Sequence, residues 1–250
     1  MSVVFLGDIH IDKLTEFGAD MYFSTLCNRI GKCRLVVLLG DICDGNPLLE
    51  RNSVVADFLL RLSARYNVVA VMGNHDYYDS QLTTETYQTL SNSYKLLGVT
   101  VLNNKCISIP DVGTILFSTL WCGLDNVAEL HNTQSVISDF ERITDLTVEQ
   151  IQQHHKNAVQ YIKENYHKVD YVVTHFAPSY MSKSGRYQHT HAPHIEQYFY
   201  TELFNYGELD CLLDNEKPVL WVHGHTHTRA FYVAGNTTVH SVESMQILKV

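Results

Sequence analysis

An α/β fold is predicted by three features of this sequence: short apolar runs rich in β-branched residues, segments of helical periodicity between several of them, and a length of 250 residues with 45% hydrophobic content. That length and apolar fraction can bury a sizeable core and suit one domain, residues 1–250, better than two small ones. The runs are VVFL (3–6), LVVLL (35–39), VVAVM (68–72), ILF (115–117), YVV (171–173) and VLWV (219–222). Continuous runs of this kind read as buried strands.

Between them, Val54 to Tyr66 has helical periodicity after Ser53, a plausible cap. A clearer helix starts at Thr147. Thr147 and Gln150 have capping-box spacing, and Ile151, His155, Ala158, Ile162 and Tyr166 share one face that should pack on a sheet. Near the C-terminus AFYVAG, NTTVHSV and MQILKV read as closely connected, antiparallel strands, with Gly235-Asn236 as a turn. No repeat, low-complexity tract or linker divides the chain. Residues 179–210 are polar and aromatic with weak periodicity, and include HTHAPH (189–194) and FNYG (204–207). A long excursion between two motif-bearing strands is a candidate substrate-facing lid.

The formal charge of −9 comes without a long acidic run. It argues against extensive duplex contact, which needs clustered Lys and Arg. The cysteines at 27, 33, 43, 106, 122 and 211 show no CxxC spacing and read as reduced, buried thiols. No stretch approaches the ~20 apolar residues of a spanning helix. The first strand begins within a few residues of Met1, which leaves no room for a leader, so the expected compartment is the cytoplasm.

Five motifs follow apolar runs: GDIH (7–10), GDICD (40–44), GNHD (73–76), THFAP (174–178) and HGHTH (223–227). In open α/β sheets the carboxyl ends of strands point into one crevice, so these segments should aim their side chains at one place. Gly7, Gly40, Gly73 and Gly224 fit sharp turns or close approaches there. The residues form a mixed oxygen and nitrogen set suited to Mn, Fe, Zn or a similar divalent ion. So many ligands suggest two ions. Asp8, His10 and His227 would hold one, Asn74, His175 and His225 the other, and Asp41 could bridge them at ~3.5–4 Å. With only two carboxylates the cluster keeps positive charge and would attract a phosphate ester. A water bridging the ions would lose its proton near neutral pH and attack phosphorus in line.

His75 follows a proposed ligand and can steady the phosphoryl oxygens or protonate the leaving group. A carboxylate should orient it, with Asp44 the first choice and Asp76 the second. The remaining histidines read as packing, surface or loop residues, with His223 a strand residue beside the site. Tyr77, Tyr78, Trp121 and Phe176 read as core or pocket wall.

The order of these motifs resembles the calcineurin-like metallophosphoesterase superfamily: D-x-H, GD-x-x-D, GNH[DE], a lone His and G-H-x-H. Matched position by position, the resemblance implies metal ligands Asp8, His10, Asp41, Asn74, His175, His225 and His227, with His75 catalytic and Asp44 its partner. It also implies a four-layer α/β/β/α sandwich of two mixed β-sheets flanked by helices. STLWCG (118–123), SDFERI (138–143), VTHFAPS (173–179) and LWVHGHTH (220–227) look like the small stand-alone bacterial and phage members. The family's protein phosphatases carry Arg directly after GD-x-x-D, where this chain has Gly45. That departure steers the expected activity to small-molecule phosphate mono- or diesters, including nucleotides or cyclic nucleotides. Mn2+, Fe2+/Fe3+, Zn2+ or Ni2+ would serve as cofactors. A nuclease resembling the Mre11 branch and a non-catalytic metal-binding scaffold are the alternatives.

Overall fold

The continuous apolar runs become strands covered on both faces. The computed structural model describes residues 2–123, 137–182, 217 and 219–250. The strands there, in chain order, are β1 (Val3–Leu6), β2 (Leu35–Leu38), β3 (Val68–Ala70), β4 (Val99–Val101), β5 (Lys105–Ile109), β6 (Gly113–Ser118), β7 (Tyr171–Thr174), β8 (Val219–His223), β9 (Ala230–Ala234), β10 (Thr237–Ser241) and β11 (Ile247–Lys249). They form two mixed sheets, ordered β11-β1-β2-β3-β4 and β5-β6-β7-β8-β10-β9. The helices are α1 (Glu16–Ile30), α2 (Ser53–Ser63), α3 (Thr84–Leu96), the short α4 (Asp139–Arg142) and α5 (Val148–Asn165).

Alternation along each strand divides the core into layers. Val3 and Phe5 of β1, Leu35 and Val37 of β2, Ile115 and Phe117 of β6, and Val222 of β8 face a shared inter-sheet layer. Val4, Leu6, Val36 and Leu38 point the other way, to Phe23, Phe58 and Leu62 on α1 and α2. Leu116, Val172 and Trp221 meet Ala158, Val159 and Ile162 of α5. The result is two mixed sheets flanked by helices, the α/β architecture the sequence predicts. Phe117 is fully buried between the sheets. Phe117→Ala is expected to cost about 3–5 kcal/mol of stability, read by urea unfolding.

Helix α5 begins with the full capping box, Thr147 Oγ1 accepting from the Gln150 amide and Gln150 Oε1 accepting from the Thr147 amide. Ser53 is not a cap but the first residue of α2, with Asn52 before it. The Asn52 amide donates instead to the Asp44 and Asn46 carbonyls, at 3.1 and 2.9 Å, and so pins the GDICD loop. Helices α1 and α3 are additions to the sequence reading, each capped by a threonine, Thr15 and Thr83.

The C-terminal strands are only partly antiparallel. β9 and β10 pair so through the Gly235-Asn236 turn, but β10 lies parallel to β8, and β11 crosses to the other sheet beside β1. Among the described cysteines, Cys43 and Cys122 are buried while Cys27, Cys33 and Cys106 are half-buried, and none is disulfide-bonded. Cys211 and most of the candidate lid, from residue 183 onward, lie outside the described residues. No helix among the described residues is long and apolar enough to cross a membrane.

Candidate metal centre

Five parallel strands deliver the motif residues from their carboxyl ends: β1, β2 and β3 from one sheet, β7 and β8 from the other. The chain must turn sharply at each exit. Asp8, His10, Asp41, His225 and His227 all have positive φ, between 28° and 64°. Such conformations cost on the order of 1–3 kcal/mol each and collect at functional sites. Asp and His are among the side chains that tolerate them best.

Two glycines let the strand ends close on one another. Gly40 has φ 92°, and a Cβ there would lie 2.5 Å from His175 Nδ1. A Cβ at Gly73 would collide with Asp41 Oδ1 and come within 2.6 Å of His175 Cε1. Gly73→Ala is therefore expected to displace Asp41 and His175. Misplacement of about 1 Å lowers catalysis on the order of 100-fold, which steady-state kinetics on the folded variant would read.

His175 is fully buried, and its Nδ1–H donates to the Leu39 carbonyl at 2.7 Å. Burial lowers its basicity, so Nε2 keeps its lone pair to accept with. That lone pair faces Asn74 Oδ1 at 3.0 Å, Asp41 Oδ1 at 3.4 Å and His225 Nδ1 at 3.2 Å. The Asn74 amide is turned by Asp139, whose Oδ1 accepts from Asn74 Nδ2 at 2.9 Å. No proton is available between Nε2 and Oδ1, so two acceptors confront each other at contact distance.

A second group lies on the other side of Asp41. His10 Nε2 is 3.9 Å from Asp41 Oδ2 and 3.4 Å from His227 Nε2, which is 3.9 Å from Asp8 Oδ2. Asp8 Oδ1 accepts the His225 backbone N–H at 3.0 Å, while its Oδ2 is buried without a hydrogen-bond partner among the described residues. Burial, reinforced by the Asp41 charge, raises the Asp8 carboxyl well above the usual carboxylate range. Burial likewise pulls His227 down to about 4. Ligand-type atoms of Asp41, His175 and His225, and of His10, Asp41 and His227, each cluster within 4.8 Å. Converging lone pairs, a lone buried carboxylate oxygen and depressed imidazoles are the surroundings in which a divalent cation is a better partner than a proton.

His75 borders both groups. Its Nδ1 lies 2.8 Å from Asp44 Oδ1, its backbone N–H donates to Asp41 Oδ1 at 3.0 Å, and its Nε2 is 3.3 Å from Tyr78 Oη. Burial opposes the imidazolium, but the Asp41 and Asp44 carboxylates outweigh it and raise His75 to about 9. Asp76 is turned away. Its carboxylate accepts the backbone N–H groups of Asp41 and Gly73, at 3.0 and 2.7 Å, and the Tyr94 hydroxyl at 2.6 Å. Burial and the nearby Asp41 raise it to about 7.

Several neighbours escape the motif reading. Lys13 Nζ and Arg142 Nη2 reach Asp44 Oδ2 at 2.6 and 3.3 Å. The Arg142 guanidinium lies over the Tyr78 ring, 4.5 Å from its centroid. Arg51 stands against Gly45, 3.2 Å from where a Cβ would lie, and pairs with Asp79 at 2.5 Å. Cations thus reach this rim from other elements although Gly45 itself has no side chain. In the sequence only the SDFERI segment stands out, for its likeness and not for Asp139 or Arg142.

Comparison with known proteins bears on the family and the fold. Residues 1–229 match the profile of the calcineurin-like phosphoesterases. Metallophosphoesterase YkoQ of Bacillus subtilis is 25% identical over 109 residues, which is 44% of this chain and 38% of that protein. Among solved structures, phosphopantetheinyl hydrolase from Mycobacterium tuberculosis is similar in fold, with a TM-score of 0.68 at 14% identity over 98% of this chain and 90% of that one. TT1561 of Thermus thermophilus has a TM-score of 0.54 at 12% identity, covering 100% and 97% of the two chains. With the profile running through all five motif-bearing strand ends, the chain belongs to the calcineurin-like phosphoesterase family, a family of metal-dependent phosphoesterases.

Proposed function

We propose that this chain hydrolyses small phosphate mono- or diesters at a centre of two divalent cations. The observation that carries the reading is the pair of ligand groups that share Asp41, one on each carboxylate oxygen. Asp8, His10, Asp41 and His227 would hold one cation, and Asp41, Asn74, His175 and His225 the other. Bound there, such ions polarise a phosphoryl oxygen and lower the pKa of water.

The chain's own residues handle the leaving group. Asp44 accepts from His75 Nδ1–H and so presents Nε2–H outward, and the two cations on Asp44 Oδ2, Lys13 and Arg142, keep that carboxylate ionised. With Nδ1–H held by Asp44, a protonated His75 can give its Nε2 proton to a departing alkoxide. Tyr78 Oη, whose proton goes to Asp139 Oδ1 at 2.7 Å, accepts from Nε2–H when substrate is absent. The net charge of −9 favours small esters over nucleic acid, which would lose more by approaching an acidic surface.

The experiment is a panel of nitrophenyl phosphate, its bis-ester, mononucleotides, cyclic nucleotides and DNA, each with Mn2+, Fe2+, Ni2+ or Zn2+. Hydrolysis of a small ester by wild type but not by Asp41→Asn is expected. No turnover by either protein with any metal would refute the reading, and turnover of DNA alone would replace it with a nuclease.

A further inference from the structure

Asn74 poses a problem that its own strand does not solve. A side-chain amide can face the centre with either end, and one choice disables the site. If the amide were reversed, Nδ2–H would donate to His175 Nε2, now 3.0 Å from Oδ1. A single hydrogen bond would then satisfy two prospective ligands and leave nothing for a cation. Neither Asn74 nor His175 prevents this.

Asp139 does. Its Oδ1 accepts from Asn74 Nδ2 at 2.9 Å and from Tyr78 Oη at 2.7 Å, and the residue is only 2% exposed. A carboxylate can only accept, so reversing Asn74 would set an amide oxygen against a buried carboxylate oxygen and strand both. We infer that Asp139 is a positioning residue that keeps Asn74 Oδ1 turned to the centre and the Asn74 N–H off His175 Nε2 and, through Tyr78, sets the place of His75. The inference rests on the two-cation reading above. Because Asp139 holds the Tyr78 proton, the Tyr78 oxygen is left to accept from His75. Arg142, at the other end of the same short helix, covers the Tyr78 ring and reaches Asp44. α4 therefore supports a ligand and the acid together, from a part of the chain that supplies no ligand itself.

The test is Mn2+ titration of the metal-free full chain, followed by electron paramagnetic resonance and by kcat and KM on the best ester of the panel. Asp139→Ala is expected to weaken the more loosely held Mn2+ about 10–100-fold, the usual effect of losing such a support, and to convert a coupled-pair spectrum to that of isolated Mn2+. Asp139→Asn, whose amide can donate as well as accept, no longer forbids reversal of Asn74 and should recover at most part of the affinity. Should Asp139→Ala not fold, Tyr78→Phe tests the other arm: kcat is expected to fall about tenfold, with KM and Mn2+ affinity unchanged. A wild type that takes up no Mn2+ would sink the two-cation reading itself. Wild type and Asp139→Ala binding Mn2+ equally well would overturn the role of Asp139 alone, as an unchanged kcat in Tyr78→Phe would overturn its link to His75.

Discussion

Asp41→Asn is expected to lower kcat/KM by at least about 1,000-fold and to abolish stabilisation by added Mn2+. Asp41 turns Oδ1 toward His175 Nε2 and Oδ2 toward His10 Nε2, one oxygen to each group. An amide offers one weak oxygen donor and, on the other side, an N–H that repels a cation. Lewis-acid stabilisation is worth several kcal/mol, and about 4 kcal/mol corresponds to a factor of roughly 1,000. The variant should still fold, because in the metal-free protein Asp41 adds its charge to the burial that disfavours ionised Asp8. Thermal unfolding separates the two effects. At a thousandfold excess over Kd, Mn2+ should stabilise wild type by about 4 kcal/mol and Asp41→Asn by far less. A variant whose melting temperature rose with Mn2+ as much as wild type would show that the cations do not share this carboxylate.

His75→Ala should lower kcat by about 100- to 10,000-fold while leaving Mn2+ uptake intact, because the ring donates a proton and supplies no proposed ligand. The size of the loss should depend on the leaving group. A nitrophenolate departs without protonation, so its ester should lie at the low end of that range, and a nucleoside or alkyl ester at the high end. Asp44→Asn should follow the same pattern more mildly, since it weakens the hold on Nδ1 without removing Nε2. Equal losses for all leaving groups would place His75 on the phosphoryl oxygens instead.

Much of the fold was legible because these strands are covered on both faces and their sequences are apolar without interruption. VVFL and LVVL carry their burial in composition alone. Helix α5 was legible from its capping box and single apolar face. α1 and α3 were harder. α1 buries Ala19, Phe23, Leu26 and Ile30 but leaves Phe17 and Met21 exposed, and α3 is rich in Thr and Ser and exposes Leu96, which blurs the periodicity. The crossing of β11 depends on a tertiary partner, β1, that no local pattern names.

The site divides along the same line. Its motif residues sit next to glycines at strand ends, so type and spacing point to them directly. In sequence Asp44 is the first choice to orient His75 and Asp76 the second. Only the path of the chain turns Asp76 back to the amides of Asp41 and Gly73 and Asp44 forward to the imidazole. Lys13 comes from a segment with no motif of its own, and Asp139 and Arg142 from SDFERI, which stands out only for its likeness; their contribution exists only once these two segments meet the motif loops.

The His225 amide that holds Asp8 is 217 positions away along the chain, and the Ser244 hydroxyl donates to the Asp8 carbonyl from 236 positions away, at 2.8 Å. Contacts this distant carry the largest loop-closure cost and are expected to form late in folding. A nascent or partly unfolded chain can present β2 and β3 with Asp41 and Asn74, yet it has no cage to offer. Cation capture should therefore be a late event in the life of the chain, and cation release an early sign of its unravelling. A chelator would then lower the melting temperature of a chain that still folds without its cations.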